Sequence, residues 1–199
     1  TIQSRCEIYT FKQPSREMLA ETVTDIAKKE GFTIDKPGAD FVAMLAEGSF
    51  RDALSILQKV LAVSQSKKIE VRDVEIVSGA PRCEIVRQIL GSLAHKDTEA
   101  ALAAMQTAVK ENMDARMLAK LLIHRLRITL LMRYAPALAE SLAEELTETD
   151  REFTMGLSKL PSVNSDTLRV LLEAYGKMAY AAVPHLPLEL AIIDIGSAK

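Results

Sequence analysis

The sequence predicts an all-α protein in which a smaller helical bundle is followed by a larger one. Hydrophobic residues make up 48% of the 199 residues, but aromatic residues make up only 5% and tryptophan is absent. Alanine, leucine, isoleucine and methionine must therefore fill the interior, which suits packed helices better than a sheet sandwich. Beyond the breaker residues Gly79-Ala80-Pro81 the apolar residues recur at helical spacing, so we expect a boundary between two domains there.

Residues 1–80 are predicted to form a short strand followed by helices. Alternation of side chains over Glu7–Phe11 indicates the strand. Ser15 is expected to cap the first helix, and Gly31 is expected to end it. A second helix is expected from about Lys36 to Ala46, with a proline in its first turn.

A third helix is predicted to start after Ser49, whose hydroxyl suits an N-cap. Asp52, three residues later, predicts a capping box at this start. A polar loop over Ser64–Lys68 and a short helix over Val71–Val77 are expected to follow. The buried stripe of the third helix is predicted to consist of Leu54, Leu57, Val60 and Leu61.

Residues 81–199 are predicted to be helical, apart from a loop over residues 147–163. The helix that Asp114 opens runs to about Tyr134 and is apolar on most sides, so we expect it at the centre of its domain. Asp97 is expected to cap the helix before it. The other helices are predicted over residues 85–93, 98–109, 138–146, 168–179 and 186–195.

Several classes of protein are disfavoured by composition. Cys6 and Cys83 are far apart and form no CxxC motif, which argues against a disulfide scaffold or a zinc site and for a reducing, cytoplasmic setting. The three histidines lack the spacing of metal ligands. Apolar stretches are too short and too charged to span a membrane, and a net charge of −2 is not that of a stand-alone nucleic-acid binder. The chain opens with Thr1 rather than Met, so we expect a piece of a longer parent.

One candidate binding motif is Gly48-Ser49-Phe50-Arg51-Asp52-Ala53-Leu54. If Ser49 caps the helix, Arg51 lies in its first turn, where free N–H groups and a positive partial charge favour anions. Its guanidinium would add a bidentate donor for a phosphate. The alternative is a surface arginine that is paired with Asp52 or Glu47.

The second candidate motif is Ser4-Arg5-Cys6. An arginine just before a strand can project from the end of a sheet toward a neighbouring subunit. There it can act as an arginine finger, which stabilises charge that develops during phosphoryl transfer. The alternative is an incidental exposed arginine.

Together the two motifs are far more specific than either alone. In this order and context they resemble the bacterial DNA polymerase III clamp loader, most closely its gamma/tau subunit family, whose members are AAA+ ATPases. The similarity continues through Ile69–Val74 and through Leu186–Ala191, near the end of the chain. It is stronger in residues 1–80 than in residues 81–199.

This resemblance implies a division of the chain and a role for each motif. Residues 1–11 would end an AAA+ ATPase domain, residues 12–80 would form its helical lid, and residues 81–199 would form the larger helical collar used for oligomerisation. Arg5 would be the arginine finger acting in trans on the ATP of the adjacent subunit. Arg51 would be the sensor-2 arginine touching the phosphates of the subunit's own ATP, and Ser49 would cap the sensor-2 helix.

The resemblance also implies partners and a cofactor for the parent protein. Clamp loaders are rings of five subunits that use ATP with magnesium to place a sliding clamp on primed DNA, and no membrane is involved. This chain has no P-loop, because its single Gly-Lys pair, Gly176-Lys177, is followed by Met178. We therefore expect the chain alone neither to hydrolyse ATP nor to bind it tightly, and we expect no metal site in it.

Two other interpretations remain open. Gln58-Lys59 and Glu7 depart from the gamma/tau pattern, so a delta-prime-type clamp-loader subunit is an alternative, and Phe50 is a tolerable core change. Replication factor C subunits share Ser-Arg-Cys but tend to differ at Ser49 and Asp52, so they rank lower. The alternative from a different class is a structural helical adaptor with no nucleotide role.

Charged residues in the second half are expected to form solvated faces. The sharper hypothesis is that opposite charges orient neighbouring collars in a ring. The basic set is Arg116, Lys120, His124 and Arg127, and the acidic set is Glu140, Glu144, Glu145, Glu148, Asp150 and Glu152.

Overall fold

Helices dominate the computed structural model, which describes residues 12–64 and 66–197. In that part of the chain eleven helices are joined by turns and loops, with two strands of two residues each. The prediction of an all-α fold is confirmed. The strand expected over Glu7–Phe11 lies outside the described residues.

The helices divide into two compact units, with the boundary between Val74 and Glu75. The division into an ATPase-domain end, a lid and a collar stays a prediction. The elements up to this boundary are α1 (Arg16–Lys29), β1 (Thr33–Ile34), α2 (Lys36–Leu45), α3 (Phe50–Val63), β2 (Lys68–Ile69) and the start of α4 (Val71–Ser78).

In the first unit, α1 packs against α2 and α3. Leu19, Val23 and Ala27 lie on one face of α1 at helical spacing and are buried there. Strands β1 and β2 pair in parallel, and the Thr33 amide donates to the Lys67 carbonyl at 2.7 Å. Two residues per strand are too few to show alternation, so this pairing could not be predicted from the sequence pattern.

The predicted helix caps of both units are present. Ser15 accepts a hydrogen bond from the Met18 amide, and Asp97 accepts one from the Ala100 amide. Asp114 does the same for the Met117 amide at the start of the longest helix. Capping residues thus set the helix starts from the local sequence alone.

The second unit is built around one long helix. Its elements are α5 (Cys83–Ala94), α6 (Thr98–Lys110), α7 (Ala115–Tyr134), α8 (Pro136–Ala143), α9 (Glu148–Ser158), α10 (Ser165–Met178) and α11 (Leu186–Ser197). Helix α7 contacts α5, α8, α9 and α10, as its apolar faces predicted. Leu118, Leu122 and Leu126 are each at most 1% exposed within it.

The expectation of a loop over residues 147–163 is wrong, because α9 occupies much of it. Thr147 caps this helix by accepting a hydrogen bond from the Asp150 amide. Only a few of its residues are buried, and two of them, Asp150 and Thr154, are polar. A helix that buries polar side chains lacks the apolar stripe by which helices are predicted.

Candidate functional site

A tight turn joins α2 to α3 and carries the first candidate motif. After the last helical turn of α2, Glu47 and Gly48 both take left-handed backbone conformations, with φ of 50° and 85°. The Ser49 amide then donates to the Ala46 carbonyl at 2.9 Å. The two left-handed residues and this hydrogen bond reverse the chain within a few residues, so that α3 starts immediately after the turn.

Gly48 is required in this turn for two reasons. Its positive φ is unfavourable for residues that carry a Cβ atom. A Cβ added here would also overlap the side-chain amide of Gln13, which crosses the turn. The Gln13 Nε2 donates to the Glu47 carbonyl at 2.6 Å, so the segment before α1 is bonded to this turn.

Ser49 caps α3 as the sequence predicted. Its Oγ accepts a hydrogen bond from the Asp52 amide at 3.2 Å. The reciprocal bond of a capping box is not made, because the Ser49 amide already donates to Ala46. The cap therefore satisfies one helix-start amide and leaves the side chain of Asp52 exposed.

Arg51 is the second residue of α3 and is exposed to solvent. The buried face of the helix is formed by Ala53, Leu57 and Val60. Within residues 12–64 and 66–197, Arg51 makes no ion pair or hydrogen bond, so the expected alternative of pairing with Asp52 or Glu47 is not observed there. A free guanidinium at a helix start can bind an anion such as a phosphate.

The second motif, Ser4-Arg5-Cys6, lies outside the described residues, so the role expected for Arg5 stays a prediction. The structure adds two side chains near the first motif that sequence reasoning missed, Gln13 and Arg16. Arg16 donates from Nε and Nη2 to the Asp40 carbonyl in α2, each at 3.3 Å. Both contacts join distant positions in the chain, and no local pattern signals them.

Asp40 is itself a buried carboxylate of the first unit. It is 5% exposed, and its Oδ2 has no hydrogen-bond partner in the part of the chain that the structure describes. Burial raises the pKa of this carboxyl group above its ordinary value, while the positive charges of Arg16 and Lys36 oppose that rise.

In the second unit, one acidic residue expected on a solvated face lies at a buried charge centre. Asp150 is 2% exposed, so that expectation is wrong for this residue. The Arg87 Nη1 lies 2.7 Å from its Oδ1, and the Arg125 Nη2 lies 3.1 Å from its Oδ2. These contacts join α5, α7 and α9, because each helix supplies one of the three residues. A buried carboxylate is tolerated here because two guanidinium groups compensate its charge.

Other arginines of α7 are also engaged. Arg133 donates to the carbonyls of Ser158 and Leu160, each at 2.6 Å, and so bonds α7 to the last residue of α9 and to the segment that follows it. The Arg116 guanidinium lies 5.0 Å from the centroid of the Tyr175 ring. These side chains stabilise packing between helices of the unit.

Within residues 12–64 and 66–197, the remaining reactive groups form no further candidate site. Burial raises the pKa of the Cys83 thiol, and the carboxylates of Glu75 and Asp150 add to the effect, so this cysteine is not an activated nucleophile. Among the described residues there is no cluster of potential ligands that could hold a metal ion. The helices in that part of the chain also include none with the length and apolar character needed to cross a membrane.

Part of the first unit is similar to a known protein domain. Residues 18–66 match the model of the DNA polymerase III clamp loader subunit, ATPase lid domain. The matched segment contains the turn after α2, Ser49 and Arg51. The region around the candidate site is therefore the part of the chain with a defined family match.

Relatives with curated descriptions agree with this match. The chain is 43% identical over 75 residues to DNA polymerase III subunit gamma/tau of Mycoplasma genitalium, a match covering 38% of this chain and 13% of that protein. It is 25% identical over 197 residues to DNA polymerase III subunit tau of Bacillus subtilis, covering 98% of this chain and 34% of that protein. It is 40% identical over 70 residues to the replication factor C small subunit of Methanococcus maripaludis, covering 35% of this chain and 22% of that protein.

The chain thus spans about a third or less of the length of these relatives. The lid match is local, whereas the similarity to the tau subunit runs through both units. Taken with the helical fold, these matches show that the chain is similar to clamp-loader subunits of the DNA polymerase III gamma/tau type.

Proposed function

We propose that this chain supplies the lid and the collar of a clamp-loader subunit, and that Arg51 contacts the phosphates of ATP bound to the same subunit. One observation carries the proposal. Arg51 is exposed and unpaired among the described residues, at the start of a helix within the segment that matches the clamp-loader lid.

The chemistry of this position suits a nucleotide phosphate. A phosphate carries several acceptor oxygens, and a guanidinium binds two of them with parallel hydrogen bonds. The first amides of α3 add positive partial charge, and the Ser49 cap bonds to the Asp52 amide rather than to the Arg51 side chain. Arg51 can therefore change its contacts when the nucleotide is hydrolysed, which is the property expected of a sensor.

The other parts of the ATP site must come from residues beyond those described. The chain contains no P-loop motif, so we assign magnesium and the bulk of ATP binding to an ATPase domain of the whole subunit. Arg5 would act in trans on the ATP of the neighbouring subunit. In this proposal each subunit contributes Arg51 to its own nucleotide and Arg5 to the next one.

The second unit would serve assembly. We propose that the collar joins this subunit to the other members of a five-subunit ring, which loads a sliding clamp on primed DNA in the cytoplasm. The helical unit around α7 is suited to that task, since apolar packing and the ion pairs of Asp150 stabilise its interior and leave its surface available for partners.

Clamp loading by an assembly reconstituted with the whole subunit tests this proposal. The variant Arg51→Ala removes charge-assisted hydrogen bonds and should slow ATP-dependent loading by about 10- to 100-fold. The matched control is Arg72→Ala, because Arg72 is also exposed and is also the second residue of a helix, α4. Equal rates for the two variants would contradict the role of Arg51 and would favour the structural adaptor.

A further inference from the structure

The segment that leads into α1 lies against the turn that presents Arg51. Gln13 donates from Nε2 to the Glu47 carbonyl at 2.6 Å, across 34 positions of sequence. Its side chain crosses Gly48 so closely that a Cβ atom there would overlap the amide. Gln13 therefore contacts the turn both by a hydrogen bond and by packing.

A second contact attaches the start of α1 to the body of α2. Arg16, the first residue of α1, binds the Asp40 carbonyl through two of its nitrogens. The start of α1 is thus held at the middle of α2, while Gln13, in the segment before α1, is bonded to the turn beyond the end of α2.

The orientation of the Glu47 carbonyl affects the geometry of the rest of this turn. It precedes Gly48, and glycine permits a wide range of backbone conformations. Ser49 needs an extended backbone, with φ of −111° and ψ of 116°, to place its hydroxyl over the start of α3. A rotation of the preceding peptide would move the cap and with it the first turn of α3. The hydrogen bond from Gln13 holds that carbonyl in one orientation.

We infer that Gln13 is a positioning residue for Arg51, an inference that rests on the function proposed above. Gln13 fixes the turn, the turn fixes the start of α3, and the start of α3 fixes where Arg51 can reach. The segment that carries Gln13 also follows the Arg5 motif in sequence. Gln13 touches no nucleotide in this scheme and acts only through Arg51.

A double-mutant cycle on ATP affinity of the whole subunit tests the inference. Gln13→Met removes the donor while keeping the length of the side chain and adding no charge. It should weaken ATP binding by about two- to tenfold, the range for loss of one neutral hydrogen bond. In the Arg51→Ala background the same change should have no further effect, because the residue it positions is gone.

A purely structural role would give a different pattern. It would lower the melting temperature and weaken ATP binding equally in both backgrounds, so melting curves of all variants are recorded alongside. Gln13→Asn, whose shortened amide cannot span the same distance, is the second variant and should reproduce the cycle.

The outcomes separate this inference from the proposed function. If Arg51→Ala weakens ATP binding but Gln13→Met has no effect, or an equal effect in both backgrounds, the positioning role is wrong and the function of Arg51 stands. If Arg51→Ala leaves ATP affinity unchanged, the proposed function is wrong and the positioning role fails with it.

Discussion

The two units of this chain use arginine in opposite ways. In the first unit, Arg51 is exposed and has no partner among the described residues. In the second unit, Arg87 and Arg125 both bind the buried carboxylate of Asp150, and Arg133 binds backbone carbonyls. The exposed guanidinium of Arg51 is available to a ligand, whereas the guanidinium groups of the second unit hold helices together.

This contrast shows that the partners of an arginine, rather than its place in a helix, indicate its role. Arg125 is 8% exposed and would leave an uncompensated charge if its carboxylate were removed. Removal of the exposed Arg51 side chain would leave no buried charge uncompensated among the described residues. Stability and nucleotide binding should therefore respond to different substitutions in the two units.

The largest expected effect is on the stability of the second unit. Asp150→Ala leaves two guanidinium groups without their carboxylate and should lower the free energy of unfolding by about 3–5 kcal/mol. Asp166→Ala is the control, since Asp166 pairs with Arg169 at 3.1 Å on the exposed surface and should cost at most about 1 kcal/mol. Urea unfolding measures both, and similar losses would refute the distinction between buried and exposed pairs.

A smaller effect is expected at the turn between α2 and α3. Gly48→Ala must adopt a positive φ and displace the Gln13 side chain, so we expect a loss of about 2 kcal/mol. Gly79→Ala separates the two causes, because Gly79 also has a positive φ, 68°, but an added Cβ would meet nothing within 4 Å. It should cost about 1 kcal/mol. Equal losses in thermal unfolding would mean that the Gln13 contact contributes nothing to the turn.

The smallest effect is expected at Asp40 and depends on pH. Because burial raises the pKa of this carboxyl group, folding favours its protonated form, and that contribution is lost as the pH rises through the raised pKa. At pH 7 the ionised group therefore costs stability, so Asp40→Asn should be more stable than the parent by up to about 1 kcal/mol.

The advantage of Asp40→Asn should shrink as the pH falls through the raised pKa and should vanish below the ordinary carboxyl value of 3.8, where Asp40 becomes protonated in both the folded and the unfolded state. Unfolding free energies measured across this range check the sign. An advantage that stays constant with pH would show that the ionisation of Asp40 does not influence folding.

Much of the fold follows from local sequence, and the exceptions have physical causes. Ser15, Ser49, Asp97 and Asp114 act as caps where the sequence predicted them, because a cap involves only neighbouring residues. Helix α9 was missed because part of its burial is ionic, through Asp150, and depends on partners in two other helices.

In the candidate site, too, features that depend on neighbouring residues could be predicted, and features that depend on distant residues could not. Ser49 and Arg51 were identified from their motif, and their place at a helix start followed from the cap. That Arg51 has no partner among the described residues could not be predicted, since Glu47 and Asp52 lie close to it in sequence. Gln13 was missed because its partner lies 34 positions away.

The claim that Arg51 serves a nucleotide while the engaged arginines serve the fold is tested most directly by one paired measurement. ATP affinity and melting temperature are determined for the whole subunit carrying Arg51→Ala or, as control, Arg72→Ala. The account predicts that Arg51→Ala weakens ATP binding by about 10- to 100-fold with an unchanged melting temperature, while Arg72→Ala changes neither. Unchanged ATP affinity in Arg51→Ala, or equal weakening in both variants, would contradict it.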